Sequence, residues 1–163
     1  MIAASEASVF ERMPVLVQHA GEWHGRYSFV TPAGEVQSSY RFQILVSFSR
    51  DNARAYRQES QYLHDDGRRE SRIFEGRHRD GVIHFDTGRI AGRMWEIDET
   101  TVYLRFAFAA DPEVECFEMI QLAAGGADRG RTWLWYRRGR LQQYTLIDEA
   151  RGLADWWRAE RSR

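Results

Sequence analysis

The fold is decided by the stretch at residues 21–30, GEWHGRYSFV. Here Trp23, Tyr27 and Phe29 fall on one face of an extended segment, because side chains along a strand alternate between two faces. The intervening polar residues fall on the other face. This period of two continues through most of the chain that follows, which predicts a protein built mainly of β-strands.

Helical spacing is found only near the two ends of the chain. Residues 5–20 place their apolar side chains on one helical face and predict a short N-terminal helix. Pro14 would break an interior turn, so two short turns are the alternative. The tail at residues 152–161 also has helical spacing and predicts a C-terminal helix.

Ten strands are expected between these helices, separated by short turns rich in Gly, Asp and Asn. The predicted strands are 21–30, 40–48, 54–64, 69–76, 81–87, 89–97, 101–109, 114–123, 131–138 and 141–149. Short turns favour antiparallel hairpins, and a long meander favours a barrel over a sandwich. We therefore predict an all-β fold, an up-and-down antiparallel barrel of about 8–10 strands, in a single domain over residues 1–163.

The composition excludes several classes of function. The 163 residues include 23 basic and 24 acidic ones, for a net charge of −1, and every basic residue is an arginine. Without lysine, Schiff-base chemistry and a phosphate-loop lysine are excluded. The chain lacks the basic excess of a nucleic-acid-binding module and any apolar run long enough to span a bilayer, so neither partner is expected.

Further expectations follow from the cysteine content and from missing motifs. Cys116 is the single cysteine, and the N-terminal residues lack a secretory signal pattern, so we expect a cytoplasmic protein. No phosphate loop, dinucleotide fingerprint or zinc-protease motif is present, and we expect no cofactor and no metal. Six tryptophans in one chain are consistent with an aromatic outer face and a homodimer.

The segment Gly21-Glu22-Trp23 resembles the G-x-W signature of the lipocalins, since it follows a predicted helix and begins the first strand. In that family the Trp closes one end of the barrel and an arginine lies across its ring. A guanidinium over an indole makes a cation–π contact. Here Arg131 or Arg151 is the candidate partner of Trp23.

The two ends of the chain give a more specific resemblance. GEWHGRY at 21–27 and RTWLWYRRGRLQQYTLIDEAR at 131–151 are similar to a bacterial and plastid family of lipocalin-like (calycin) domains of unknown function, which is itself similar to the S-type phycobilin lyases. The middle of the chain agrees only in its strand pattern. The resemblance implies a calycin barrel with a cavity for an extended or aromatic hydrophobic molecule.

The leading functional hypothesis is the binding of a small hydrophobic or aromatic ligand inside the barrel. Assigning the face of Trp23 to the interior gives a cavity lined by phenols and other rings, which suits an aromatic ligand with polar substituents. The alternative is that these rings only pack a filled barrel. The candidate ligand-binding residues are Trp23, Tyr27, Phe29, Tyr40, Phe42, Tyr56, Tyr62 and Trp133.

The second hypothesis is an enzyme, a cofactor-independent lyase, isomerase, hydratase or cyclase that uses acid–base chemistry in the same cavity. His84 and Asp86 project from one face of their strand, as an acid–base pair requires, although a solvent-facing pair has the same spacing. The candidate catalytic residues are His84, Asp86, Tyr103, Arg105 and Glu118. Which face of strands 81–87, 101–109 and 114–123 lines the cavity stays open.

Overall fold

A computed structural model describes residues 7–161, which form ten strands and three α-helices. The helices are α1 (Val9–Arg12), α2 (Pro14–Val17) and α3 (Asp155–Arg161), with a 3-10 turn at Asn52–Arg54. The strands are β1 (Gly21–Val30), β2 (Val36–Phe48), β3 (Tyr56–His64), β4 (Arg69–Arg79), β5 (Val82–Asp86), β6 (Ile90–Glu96), β7 (Thr101–Phe108), β8 (Asp111–Leu122), β9 (Asp128–Arg137) and β10 (Arg140–Arg151).

The ten strands close into one antiparallel barrel. Each strand pairs with its neighbours along the chain, and β1 pairs with β10 to complete the ring. In this register Tyr27 lies between Tyr40 of β2 and Ile147 of β10. The predicted up-and-down barrel is therefore confirmed.

The observed boundaries differ from the predicted ones where a turn or a helix is shorter than expected. The N-terminal helix is divided, because α1 ends at Arg12 and Pro14 begins α2 at the position where a missing N–H is tolerated. This confirms the alternative of two short turns. Strand β9 begins at Asp128, three residues before the predicted start, because Asp128 pairs with Ala150 of β10.

Helix α3 lies against the outer wall near β2 and β4. The side-chain oxygen of Gln43 on β2 accepts a hydrogen bond from the Ala154 backbone N–H at 2.7 Å. Arg69 at the start of β4 forms an ion pair with Glu160 of the helix. Among residues 7–161, no helix combines the length and apolar character that crossing a membrane requires.

One end of the barrel is closed around Trp23. This side chain is fully buried, with the guanidinium of Arg129 at 4.3 Å and that of Arg151 at 4.2 Å from its ring centroid. Its indole N–H donates to the carbonyl of His19 at 2.9 Å. The prediction of Arg151 as the partner is confirmed, whereas Arg131 is wrong, because it lies next to Tyr27 and Trp133.

Both arginines beside the indole are held in place by several hydrogen bonds. Arg129 forms a two-point ion pair with Glu149 of β10. Arg151 donates to the carbonyls of Ala20 at 2.7 Å, Gln18 at 3.0 Å and Gly126 at 2.9 Å. Arg151 therefore joins β10 to the segment before β1 and to the turn between β8 and β9.

The imidazole of His19 is neutral and belongs to this closed end. Its Nδ1 lies 3.4 Å from Nη1 of Arg129, and since a guanidinium only donates, Nδ1 is the acceptor and the ring proton is on Nε2. Within the described part of the chain, Nε2 is buried without a hydrogen-bond partner. Burial, and then the charge of Arg129, lower the pKa of His19 to about 3.

This lowered pKa predicts a loss of stability in acid. The unfolded chain binds a proton at His19 near its ordinary pKa of 6.5, whereas the folded chain binds it only near 3. As the pH falls between these values, His19 lowers the free energy of unfolding by up to about 1.4 kcal/mol per pH unit. Between about pH 7 and about pH 4, we expect the free energy of unfolding to decrease less steeply for His19→Gln than for the unmodified protein. Urea denaturation at each pH measures this free energy. Equal slopes in the two proteins would contradict this account.

The approach of β1 to β10 predicts a strict requirement for glycine at position 25. A methyl group on Gly25 would lie 1.8 Å from the carbonyl oxygen of Asp148, whereas one on Gly130 of β9 would have no atom within 4 Å. We expect Gly25→Ala to lower the free energy of unfolding by about 1–3 kcal/mol. Gly130→Ala, the matched control, should leave it unchanged or raise it slightly. Equal stability of the two variants in thermal unfolding would refute the close approach.

Candidate ligand-binding cavity

Above the closed end, the barrel interior contains a cavity of about 320 Å³. Eleven of its 20 lining residues are aromatic, namely Tyr27, Phe29, Tyr40, Tyr56, Tyr62, Phe74, Phe85, Phe106, Phe108, Trp133 and Trp135. The volume lies at the lower end of the range for pockets that hold small ligands. The interior is therefore not completely filled by side chains.

Two groups of aromatic rings line neighbouring parts of the cavity wall. On β1 to β3, Tyr27 stacks on Tyr40 with centroids 5.1 Å apart, and Tyr62 meets Tyr40 edge-on at 5.6 Å. On β9, Trp133 and Trp135 lie 5.6 Å apart. The two groups meet where Tyr27 contacts Trp133 edge-on at 5.9 Å. Contacts of this kind fix the orientation of the rings, so the walls are preorganised.

The phenol groups are hydrogen-bond donors at neutral pH. Burial raises the pKa of Tyr27, Tyr40 and Tyr56, so their hydroxyls stay protonated. Tyr56 donates to Gln58 at 2.9 Å. Among the residues that the structure describes, no hydrogen bond engages the hydroxyls of Tyr27, Tyr40 and Tyr62. These three groups could bind polar atoms of a ligand.

A buried ion pair lies at the floor of the cavity. Arg131 donates to Glu118 at 2.5 Å and to Glu149 at 3.3 Å, and their side chains are nearly inaccessible to solvent. Burial alone would lower the pKa of Arg131, but the carboxylate of Glu118 raises it well above its ordinary value. Arg129 also pairs with Glu149. These ion pairs therefore combine two guanidinium cations with two carboxylates, and their charges balance. Arg105, the arginine among the candidate catalytic residues, is not part of this group.

Six of the eight predicted ligand-binding residues line the cavity. They are Tyr27, Phe29, Tyr40, Tyr56, Tyr62 and Trp133. The other two, Trp23 and Phe42, are fully buried below it. Trp23 is enclosed by its arginines, and the Phe42 ring packs edge-on against Tyr27 at 4.8 Å. Both residues support the floor and do not face the open space.

His84 and Asp86 lie on the outer wall, which corrects their assignment as catalytic residues in the cavity. Phe85 between them lines the cavity, so alternation directs both neighbours outward. On the outer face His84 lies between Arg77 of β4 and Arg93 of β6. Partial burial and these nearby arginines lower the pKa of His84. The hypothesis of an acid–base pair facing the ligand is therefore wrong.

Tyr103 and Arg105 also lie outside, which is a second correction. Phe106 of the same strand lines the cavity, so the alternate positions face outward. Tyr103 packs against Trp95 with centroids 5.0 Å apart, and Arg105 pairs with Glu115 at 2.5 Å. The sequence could not settle this choice, because both faces of β7 carry large side chains.

The cavity residues contributed by β4 to β7 are not among the predicted ligand-binding residues. Phe74, Phe85, Phe106 and Phe108 add aromatic wall, while Arg72 and Arg89 add the two cations that reach the cavity from its outer boundary. The period-two pattern places these phenylalanines on one face of each strand. It does not say which face is inside, because the resemblance covers this part of the chain only by strand pattern.

Cys116 and the acidic and imidazole groups provide little reactive chemistry at the cavity wall. Cys116 is buried, and burial raises the pKa of its thiol to about 12, so it is not an activated nucleophile. In the described range 7–161, no three His, Cys, Asp or Glu side chains are grouped as metal ligands would be. The cavity mainly supplies aromatic contact and hydrogen bonding.

Three solved structures share this fold. A DUF3598-family protein of unknown function from Nostoc punctiforme has a TM-score of 0.61 and 13% identity over 84% of this chain and 48% of its own. The S-type phycobiliprotein lyase CPES from Guillardia theta has a TM-score of 0.62 and 14% identity over 91% and 94%. Rv2717c from M. tuberculosis has a TM-score of 0.59 and 13% identity over 87% and 98%. At these identities the likeness is one of fold.

The family assignment comes from a sequence-family model. No curated protein matches the chain. This chain spans about half the length of the Nostoc punctiforme protein, since the match covers 48% of that protein. The model described as Domain of unknown function (DUF3598), N-terminal, matches residues 11–154. The barrel therefore belongs to the DUF3598 family and corresponds to its N-terminal domain.

Proposed function

We propose that this protein binds a small hydrophobic or aromatic molecule inside the barrel. The observation that carries the proposal is the cavity of about 320 Å³ with eleven aromatic side chains in its wall. Protein interiors are normally close-packed, and apolar walls without a neighbour lose dispersion contacts. A ligand of complementary shape would restore those contacts and remove the apolar surface from water.

The wall also indicates what kind of molecule would fit. Tyr27, Tyr40, Trp133 and Trp135 offer ring faces and edges along a continuous part of the cavity wall. A flat ring system can stack on or meet these groups edge-on. Because the phenol hydroxyls are protonated, they can donate to carbonyl or ether oxygens of a ligand. The volume favours a compact molecule of a few rings.

Binding is favoured over catalysis because the candidate catalytic residues are dispersed. Among them, Glu118 alone faces the cavity, and Arg131 engages its carboxylate. A general base needs a carboxylate or imidazole free to approach the substrate, and His84 is on the opposite side of the wall. The Guillardia theta protein is a lyase by name, but 14% identity carries only its fold to this chain.

A fluorescent neutral probe, N-phenyl-1-naphthylamine, tests this function directly. We expect saturable binding with enhanced probe emission and quenching of tryptophan fluorescence, since two tryptophans line the cavity. Leu104→Phe inserts a ring into the cavity and should weaken binding about tenfold or more, because overpacking leaves no room for the probe. Titration of probe emission measures the dissociation constant.

The matched control is Leu146→Phe. Leu146 lies on β10 and is 47% exposed on the outer wall, so this variant adds the same ring without entering the cavity. Its affinity should stay within about twofold of the original. Equal losses in both variants, or no saturable binding of the probe by the unmodified protein, would refute binding in the cavity. Thermal unfolding establishes that both variants are folded.

A further inference from the structure

Beside the aromatic cavity, two neighbouring strands of the barrel wall are paired over only part of their length, and we call the gap between them the lateral opening. Strand β4 pairs with β3 from Arg69 to Gly76, but it pairs with β5 only from Gly76 to Arg79. Within the described chain, the first half of β4 therefore has no backbone partner on its other side. The turn between β5 and β6 stands opposite this unpaired half. A small molecule could enter the cavity between them.

Two arginines flank this opening. Arg72 extends from the unpaired half of β4, and Arg89 extends from the turn between β5 and β6. Both line the cavity, yet Arg89 is exposed and Arg72 is half-buried. Each side chain therefore contacts the cavity and the solvent at once. They mark the boundary where a ligand would leave the aromatic interior.

The charge at the opening is not balanced. Arg89 makes no ion pair with any residue between 7 and 161, including Asp86 three positions earlier. Arg72 pairs with Glu70 at 2.5 Å, but the same carboxylate also pairs with Arg68. One carboxylate thus faces two arginines on the β4 side, and the β5–β6 side adds a third. By contrast, the two buried arginines near the closed end, Arg129 and Arg131, are matched by Glu149 and Glu118.

We propose that the ligand is amphipathic, with an apolar ring system in the cavity and a carboxylate at the lateral opening that pairs with Arg89 and Arg72. This inference rests on the proposed binding function and specifies its ligand class. A planar carboxylate matches the donor geometry of a guanidinium and allows two parallel hydrogen bonds. The guanidinium of Arg72 is held 5.2 Å above the Tyr62 ring, which orients it beside the cavity.

The test compares two probes that differ in one group, 1-pyrenebutanoate and the neutral 1-pyrenebutanol. We expect the unmodified protein to bind the carboxylate about tenfold more tightly than the alcohol. Arg89→Gln should reduce this preference to about twofold or less, and Arg89→Glu should reverse it. Arg72→Gln should reduce it by a smaller factor, because Glu70 already neutralises part of its charge. Added salt should weaken binding of the carboxylate only.

Arg93→Gln is the matched control, because Arg93 is an exposed arginine on the outer face of β6. It should leave the affinities for both probes unchanged. The alcohol also reports on folding, since every folded variant should still bind it saturably. Equal affinity of the unmodified protein for the two probes, or an equal loss for both in Arg89→Gln, would overturn this inference while leaving the binding function intact. Failure of both probes to bind would overturn the binding function as well.

Discussion

The architecture depends on the burial of Trp23 between two guanidinium groups. A cation over an indole is stabilised by about 0.5–1 kcal/mol at an exposed site and by about 2 kcal/mol or more when it is shielded from water. Arg129 is buried and makes the stronger kind of contact with Trp23, whereas Arg151 is exposed and makes the weaker kind. The contact joins the beginning of β1 to β9 and β10, so it closes the barrel where its first and last strands meet. The side-chain hydrogen bonds of Arg151 then fix the N-terminal segment across that end.

The closed end explains why charged and aromatic side chains occupy different parts of the barrel interior. Burying Arg129 and Arg131 requires carboxylates, because removing the partner of a buried charge costs about 3–5 kcal/mol. Glu118 and Glu149 supply them and complete a rigid, neutral floor. Above the floor, eleven of the 20 side chains that line the cavity are aromatic. The space is therefore closed below by ion pairs, walled by aromatic groups, and bordered by arginines of which one has no carboxylate partner in the described chain.

The sequence predicted the fold well because its signals are local. Alternation along each strand and short turns between strands were sufficient to predict the number of strands and their antiparallel order. The G-x-W segment correctly predicted that Trp23 closes one end of the barrel. The inner face of a strand is a tertiary property, however. Where both faces of a strand carry large side chains, as around Tyr103 and Phe106, alternation alone does not distinguish the face that lines the cavity from the outer face. Arg129 was missed because the glycine-rich segment before it was interpreted as a turn, although its end pairs with β10.

The most direct test of the central claim is a ¹⁵N–¹H spectrum of the indole groups during titration with N-phenyl-1-naphthylamine. Trp133→Phe and Trp135→Phe would assign the two cavity resonances. If the cavity is the binding site, these two resonances shift with saturation, while those of Trp156 and Trp157 on α3 stay in place. Shifts confined to the α3 tryptophans, or no shift at Trp133 and Trp135 at saturation, would contradict it.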